Sequence, residues 1–226
     1  MTHLFDLKLP FWRFAGNTLL VSCVSLLPLL LLYIVLTPGF ASMLFDNRMA
    51  LSRFARQVVT NGLPVVFAVN YVSFFLYALM KEGQPSANVP KHILLVDLPV
   101  RIVVFVALHA FIYVMSADLF GSFGGDKWLA LGVVGPTLMR SVFFENISGV
   151  YLYSTIISAL PLYTTIIELI LNEDSPRIRA LRRFVYVFSG NAGQAAGRVV
   201  IALLLFAIYA MLVTGFAALI VWLQRL

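Results

Sequence analysis

The chain has 226 residues, of which 61% are hydrophobic and only 12% are charged, and its mean hydropathy is +0.95. The charged fraction is about half that of a soluble domain, so the composition excludes an ordinary soluble globular protein. The net charge is +6, and in so apolar a chain basic loops that face anionic lipid explain this charge better than a nucleic-acid site does.

Six apolar stretches predict membrane helices. They cover residues 18–36, 58–80, 93–115, 128–144, 149–171 and 199–223. Every stretch except the fourth has the roughly 18 to 25 residues that an α-helix needs to cross a hydrocarbon core of about 30 Å. The sequence therefore predicts an all-α, polytopic membrane protein. Residues 1–226 form a single transmembrane domain with about six hydrophobic helices, of which five or six are full spans.

Two segments ahead of the second stretch are predicted to lie in the membrane interface. Residues 1–17 mix charged with aromatic and aliphatic side chains, a composition that suits the headgroup region. Residues 42–57 place Leu44, Leu51 and Phe54 at helical spacing with arginines at other positions. This pattern predicts an interfacial amphipathic helix, and a solvated loop is the alternative.

Polar residues and prolines also occur within the stretches. Asn70, in the second stretch, is predicted to hydrogen-bond across helices. Five stretches contain one proline each, as the helices of transporters and channels often do. These prolines are Pro28, Pro64, Pro99, Pro136 and Pro161.

The third stretch contains a candidate charged site. Asp97 and Arg101 are one helical turn apart with Pro99 between them, and His109 follows two turns later. A charge at mid-bilayer costs on the order of 3 kcal/mol, so ionisable residues in a span point to function. We interpret Asp97 and Arg101 as a mutually neutralising pair on a kinked helix beside a hydrated cavity. Alternatively, residues 91–101 form an interfacial turn and both charges reach the headgroups.

The fourth stretch is short and irregular. It contains Gly132, Gly135 and Pro136, which fits a tilted span as well as a re-entrant or broken helix. Arg140 and Glu145 lie on either side of the junction between the fourth and fifth stretches. Together with Asp97, Arg101 and His109 they form the candidate intramembrane polar site. The alternative for this junction is an ordinary helix–turn–helix at the membrane interface.

The segment after the fifth stretch is predicted to form a basic cytoplasmic amphipathic helix over residues 173–190. Ser175 and Pro176 suit its N-terminal cap and first turn. Its polar face is a candidate surface for anionic lipid headgroups or a protein partner. This face consists of Arg177, Arg179, Arg182 and Arg183.

A ladder of small residues follows this segment. Ser189, Gly193 and Gly197 recur every four residues, so they share one helix face and allow another helix to approach closely. We interpret this face as a candidate helix-packing or oligomer interface.

Counting Lys and Arg does not fix the number of spans. Six spans with an outside N-terminus and five spans with an inside N-terminus give the same excess of positive residues on the cytoplasmic side. Both topologies place residues 172–198 in the cytoplasm. The predicted location is a bacterial inner membrane.

Motifs for catalysis, nucleotide binding or metal binding are missing from the sequence. His3, His92 and His109 fall in separate regions, so no metal site is predicted, and no cofactor is indicated. These features favour a non-enzymatic membrane subunit of a transport, channel-like or multi-protein assembly, which is oligomeric and works with a partner docked on the basic cytoplasmic segment. Two alternatives stay open: an intramembrane enzyme that uses Asp97, Arg101 and His109, and a small stress or defence effector that perturbs the ion gradient.

Overall fold

The structure is a computed structural model, and it describes residues 4–83, 92–172, 178–179, 182–183 and 190–223. In these ranges the chain forms helices joined by short turns and contains no strand, so the all-α prediction is confirmed. Five of the described helical segments are long and apolar enough to cross a membrane. They are Phe11–Leu36, Arg48–Glu82, Ile93–Phe120, Ile147–Leu171 and Gly193–Leu212.

The first part of the chain forms one long helix and two short ones. Helix α1 covers Phe11–Leu36, α2 covers Phe40–Asp46 and α3 covers Arg48–Gln57. Asn47 separates α2 from α3, because its backbone is extended and its side-chain oxygen accepts hydrogen bonds from the first backbone N–H groups of α3. This is the role of an N-cap residue.

Helix α3 continues without a break into α4, Leu63–Glu82, through a π-helical turn at Val58–Gly62. The larger part of the predicted interfacial segment, Arg48–Gln57, and the predicted second span are therefore parts of one helix in the structure. The turn is closely packed: a Cβ atom on Gly62 would lie 2.3 Å from Cε1 of Tyr151. Glycine is thus the residue that lets the Tyr151 ring lie against this turn.

The predicted third and fourth stretches form helices α5, Ile93–Phe120, and α6, Lys127–Val142. Pro99 lies inside α5 and Pro136 lies inside α6. A 3₁₀ turn precedes α6, and Asp126 caps α6 by accepting hydrogen bonds from two backbone N–H groups of its first turn.

The predicted fifth stretch is interrupted. Helix α7 covers Ile147–Ile157 and α8 covers Leu160–Leu171. Pro161 has no N–H group and cannot donate to the carbonyl of Ile157, which favours a break at this point. The last described helix, α9, covers Gly190–Leu223.

The chain divides into two compact units. The first unit comprises Met1–Asn17, Ser73–Pro99 and Ala159–Leu226, and the second comprises Thr18–Val72 and Val100–Ser158. The core of the second unit is built from apolar side chains of α1, α4, α5 and α7. Its buried members are Leu26, Leu30, Val65, Val66, Val69, Phe105, Val150, Tyr151 and Leu152.

Candidate functional site

Arg101 is fully buried in the second unit, with 0% of its surface exposed. Its guanidinium Nη1 donates to Oδ1 of Asn70 at 2.5 Å, to the carbonyl oxygen of Thr155 at 2.8 Å and to Oγ of Ser158 at 3.0 Å. Hydrogen bonds from a charged donor are stronger than neutral ones, and burying a guanidinium without such bonds costs several kcal/mol. The acceptors on α4 and at the end of α7 therefore hold the charge in place.

The hydrogen bonds extend from Arg101 to α1. Nδ2 of Asn70 donates to Oγ of Ser22 at 2.8 Å, and the Ser22 hydroxyl donates to the carbonyl of Thr18, also at 2.8 Å. The hydroxyl of Ser158 donates to Oδ1 of Asn70 as well. We call Ser22, Asn70, Arg101, Thr155 and Ser158 the Arg101 network. All five are buried and all belong to the second unit.

The end of α7 supplies acceptors for a structural reason. The last carbonyl groups of a helix have no partner within it, so other donors can bind them. Helix α7 ends at Ile157, and the carbonyl of Thr155 in its last turn accepts from Arg101 and from Ser158. The break between α7 and α8 thus places two oxygen acceptors beside the guanidinium.

Asp97, the other member of the predicted charge pair, is 6% exposed and belongs to the first unit. Its Oδ1 accepts a hydrogen bond from the hydroxyl of Ser73 on α4. Asp97 and Arg101 both lie within α5, which begins at Ile93. Their pairing stays a prediction.

His109 is buried two turns beyond Arg101 on α5. Its Nδ1 is 3.0 Å from the carbonyl oxygen of Phe105, and its ring centroid is 4.2 Å from that of Phe105. Eight residues of helix correspond to about 12 Å along the axis, so Arg101 and His109 do not converge on one reacting atom. The contacts of His109 are those of a packed core histidine.

Arg140 and Glu145 lie outside the Arg101 network. Nε of Arg140 is 3.5 Å from Oε2 of Glu145, and both side chains are more than half exposed. Exposed ion pairs contribute about 0 to 1 kcal/mol. The neighbouring Asn146 caps α7 and bonds to Ser141 and to the carbonyl of Thr137, an arrangement typical of a helix–turn–helix.

The predicted basic face is described in part. Arg179 and Arg183 are exposed, whereas Arg182 is half-buried and donates from Nε to the carbonyl of Leu171, the last residue of α8, at 2.8 Å. Arg177 lies outside the described residues, as do most other residues of the predicted helix, including its capping residues. The amphipathic helix therefore stays a prediction.

The small-residue ladder is also described in part. Gly193 and Gly197 lie one turn apart on α9, and Gly197 is buried. Ser189 lies outside the described residues. The oligomer interface stays a prediction.

Reasoning from the sequence did not identify Thr155 and Ser158 as partners of Arg101, or Ser22 as the partner of Asn70. Serine and threonine hydroxyls in membrane helices commonly bond to backbone carbonyls of their own helix, so their presence alone does not reveal such a role. The spacing of Thr155 and Ser158, one turn apart just before Pro161, is the signal that was available.

Among the described residues, no group of three or more His, Cys, Asp and Glu side chains could hold a metal ion. Comparison of the chain with protein families, curated proteins and solved structures found no match.

Proposed function

We propose that the chain is a non-enzymatic, multi-pass membrane subunit of a transport or channel-like assembly, and that the Arg101 network lines the path or site it uses. The observation that carries this proposal is the full burial of Arg101 within an apolar helix, held by oxygens from α4 and from the end of α7. Ionisable residues inside membrane spans are rare, and they commonly mark substrate and ion pathways.

Stability alone is a poor reason for this arginine. A well-packed apolar side chain at a buried ionic site is often neutral or stabilising by about 1 to 4 kcal/mol, because the charge no longer has to be desolvated. A guanidinium held by directed hydrogen bonds offers something that an apolar side chain cannot: a fixed positive charge beside which an anion or water can bind.

The helices around the network are irregular, which supports the proposal. The π-helical turn at Val58–Gly62 and the end of α7 at Ile157 both lie in the second unit. An interruption in a membrane helix leaves backbone N–H and C=O groups without partners in the helix. Such interruptions are tolerated where they are buried in protein or line a cavity, and they occur at the binding sites of transporters.

The enzyme alternative has less support. It requires Arg101 and His109 to act on one substrate, yet they are about 12 Å apart along α5 and the His109 ring packs against Phe105. A stress or defence effector would use the same path, lined by the Arg101 network, and would differ from a transport subunit only in its physiological role.

The rest of the proposal concerns topology and partners. Five spans cross the membrane and α6 is either a sixth span or a re-entrant helix, with residues 172–198 in the cytoplasm of a bacterium. Arg179, Arg182 and Arg183 face anionic lipid or a docked partner. A cysteine at Ser122 and one at Ser175, each in a chain with Cys23→Ser, should label from opposite sides of the membrane for five spans and from one side for six.

Solute flux tests the function. Membrane vesicles from producing cells, in which any partner is present, are compared with vesicles that lack the chain, using a potential-sensitive dye and labelled anions. We expect extra flux that Arg101→Gln abolishes and Arg101→Lys partly keeps. Arg53→Gln, at an exposed position of α3, is the matched control and should change nothing. Extra flux that survives Arg101→Gln, or no extra flux from folded wild-type protein, would overturn the proposal.

A further inference from the structure

A pocket of about 410 Å³ lies in the first unit between α8 and α9. Its volume is within the roughly 300 to 1,000 Å³ typical of small-molecule sites. Its lining includes Thr165, Glu168 and Leu169 from α8, and Ala195, Arg198 and Val199 from α9. Polar and apolar groups are thus mixed in one pocket, as the junction of a lipid headgroup and its acyl chains requires.

The pocket lies near the ends of two candidate spans. Glu168 is three residues before Leu171, where α8 ends, and Arg198 is five residues after Gly193, where the last candidate span begins. At about 1.5 Å per residue, both charged groups are within roughly 5 to 8 Å of the span ends. This is the depth at which headgroups meet the hydrocarbon core.

The charges of the pocket are arranged around Arg198. Its Nη1 pairs with Oε2 of Glu168 at 2.5 Å, and its Nε donates to the carbonyl of Gln194 at 3.3 Å. The Arg198 side chain is 20% exposed, so part of its guanidinium is accessible from the pocket. Glu168 therefore orients the guanidinium and leaves one edge of it available.

A second arginine lies at the same end of α8. Arg182 donates to the carbonyl of Leu171, one turn beyond Glu168. Among the residues that the structure describes, Arg182 and Arg198 thus bring two guanidinium groups to this end of α8, beside the carboxylate of Glu168. A guanidinium matches the geometry of phosphate oxygens, and basic pockets between membrane helices bind anionic headgroups.

We propose that this pocket binds an anionic phospholipid, with its phosphate on Arg198 and the start of its acyl chains against Leu169 and Val199. The site is independent of the Arg101 network and of the function proposed for it, since it uses other residues in the other unit.

Lipid binding to the purified protein tests the proposal. Fluorescent phosphatidylglycerol is titrated onto the full chain in a neutral detergent, with phosphatidylcholine and inorganic phosphate as competitors. Arg198→Gln should weaken binding by about tenfold or more, because a charge-assisted hydrogen bond is lost. Lys127→Gln removes a comparable ion pair, 2.9 Å from Asp118 in the second unit, and should leave binding unchanged.

The proposal would be overturned if wild type and Arg198→Gln bound phosphatidylglycerol with equal affinity. It would also be overturned if phosphatidylcholine competed as strongly as unlabelled phosphatidylglycerol, or if an equal concentration of inorganic phosphate displaced the lipid. The last result would identify a site for a free anion. If Arg198→Gln does not fold, Ala195→Leu decides the matter, because it fills the pocket without changing any charge. Unchanged lipid affinity in Ala195→Leu would equally overturn the proposal.

Discussion

Arg101 and Arg198 occupy contrasting environments in the two units. Arg101 is fully buried in the second unit, and Asn70, Thr155 and Ser158 accept from its guanidinium. Arg198, in the first unit, lies near the end of a span, remains partly exposed and pairs with the carboxylate of Glu168. The difference shows how burial determines which partners an arginine needs. A deep guanidinium depends on acceptors from several helices, whereas one near the surface can pair locally and still bind a ligand.

Asn70 should be the most sensitive neutral position of the chain. Asn70→Ala removes one acceptor from Arg101 and the donor to Ser22, so it leaves a buried charge with fewer partners. We expect a loss of about 3 kcal/mol or more in the free energy of unfolding. Unfolding by sodium dodecyl sulfate, followed by circular dichroism, measures the change.

The matched control for Asn70 is Asn61, an exposed asparagine in the π-helical turn of the same continuous helix. Asn61→Ala should cost less than about 0.5 kcal/mol, as surface substitutions usually do. Equal losses at the two positions would show that the Arg101 network has no special weight in the stability of the fold.

The predicted pairing of Asp97 with Arg101 is tested by a double-mutant cycle. If the two charges neutralise each other, Asp97→Asn leaves Arg101 uncompensated, and the double variant Asp97→Asn with Arg101→Gln is less impaired than the sum of the singles. We expect a coupling of about 2 kcal/mol in membrane abundance or unfolding. Additive effects of the two single changes would contradict the pairing.

How far the fold and the site can be predicted from the sequence depends on the range of the interactions. The length of an apolar stretch can be read from the local sequence. The helix that contains Asp97, Arg101 and His109 was therefore predicted from hydrophobicity, and it is confirmed. The break at Ser158 was not predicted, because Pro161 is compatible with a continuous, kinked span as well as with two helices. Asn70 does bond across helices, as predicted, to Ser22 and Arg101. Its pairing with Arg101, and the roles of Thr155 and Ser158, were missed because one sequence does not specify which polar groups of different helices meet in space.

Gly62 tests how tightly the second unit is packed around its π-helical turn. Gly62→Ala puts a methyl group 2.3 Å from the Tyr151 ring, so either the ring or the turn must move. We expect a loss of about 1 to 3 kcal/mol, the usual cost of overpacking a core. Gly132→Ala on α6 is the control, since nothing lies within 4 Å of its Cβ position. A Gly62→Ala protein as stable as Gly132→Ala would contradict the close packing.

Arg198→Gln should have only a small effect on stability, in contrast to Asn70→Ala. Partly exposed ion pairs near a surface contribute about 1 kcal/mol or less, so the unfolding midpoint without added lipid should barely change. A loss as large as that of Asn70→Ala would show that the pair with Glu168 is a structural element and would remove the contrast between the two arginines.

If the Arg101 network borders a hydrated path, a buried position in the network should react with an aqueous reagent, whereas a buried position in the apolar core should not. Ser158→Cys and Val66→Cys are each made with Cys23→Ser, and labelling by a small, charged thiol reagent is measured in intact membranes. Both residues are buried in the second unit, but Ser158 belongs to the network whereas Val66 belongs to the apolar core. We expect rapid labelling at position 158 and none at position 66. Equal protection of both cysteines would contradict the hydrated path.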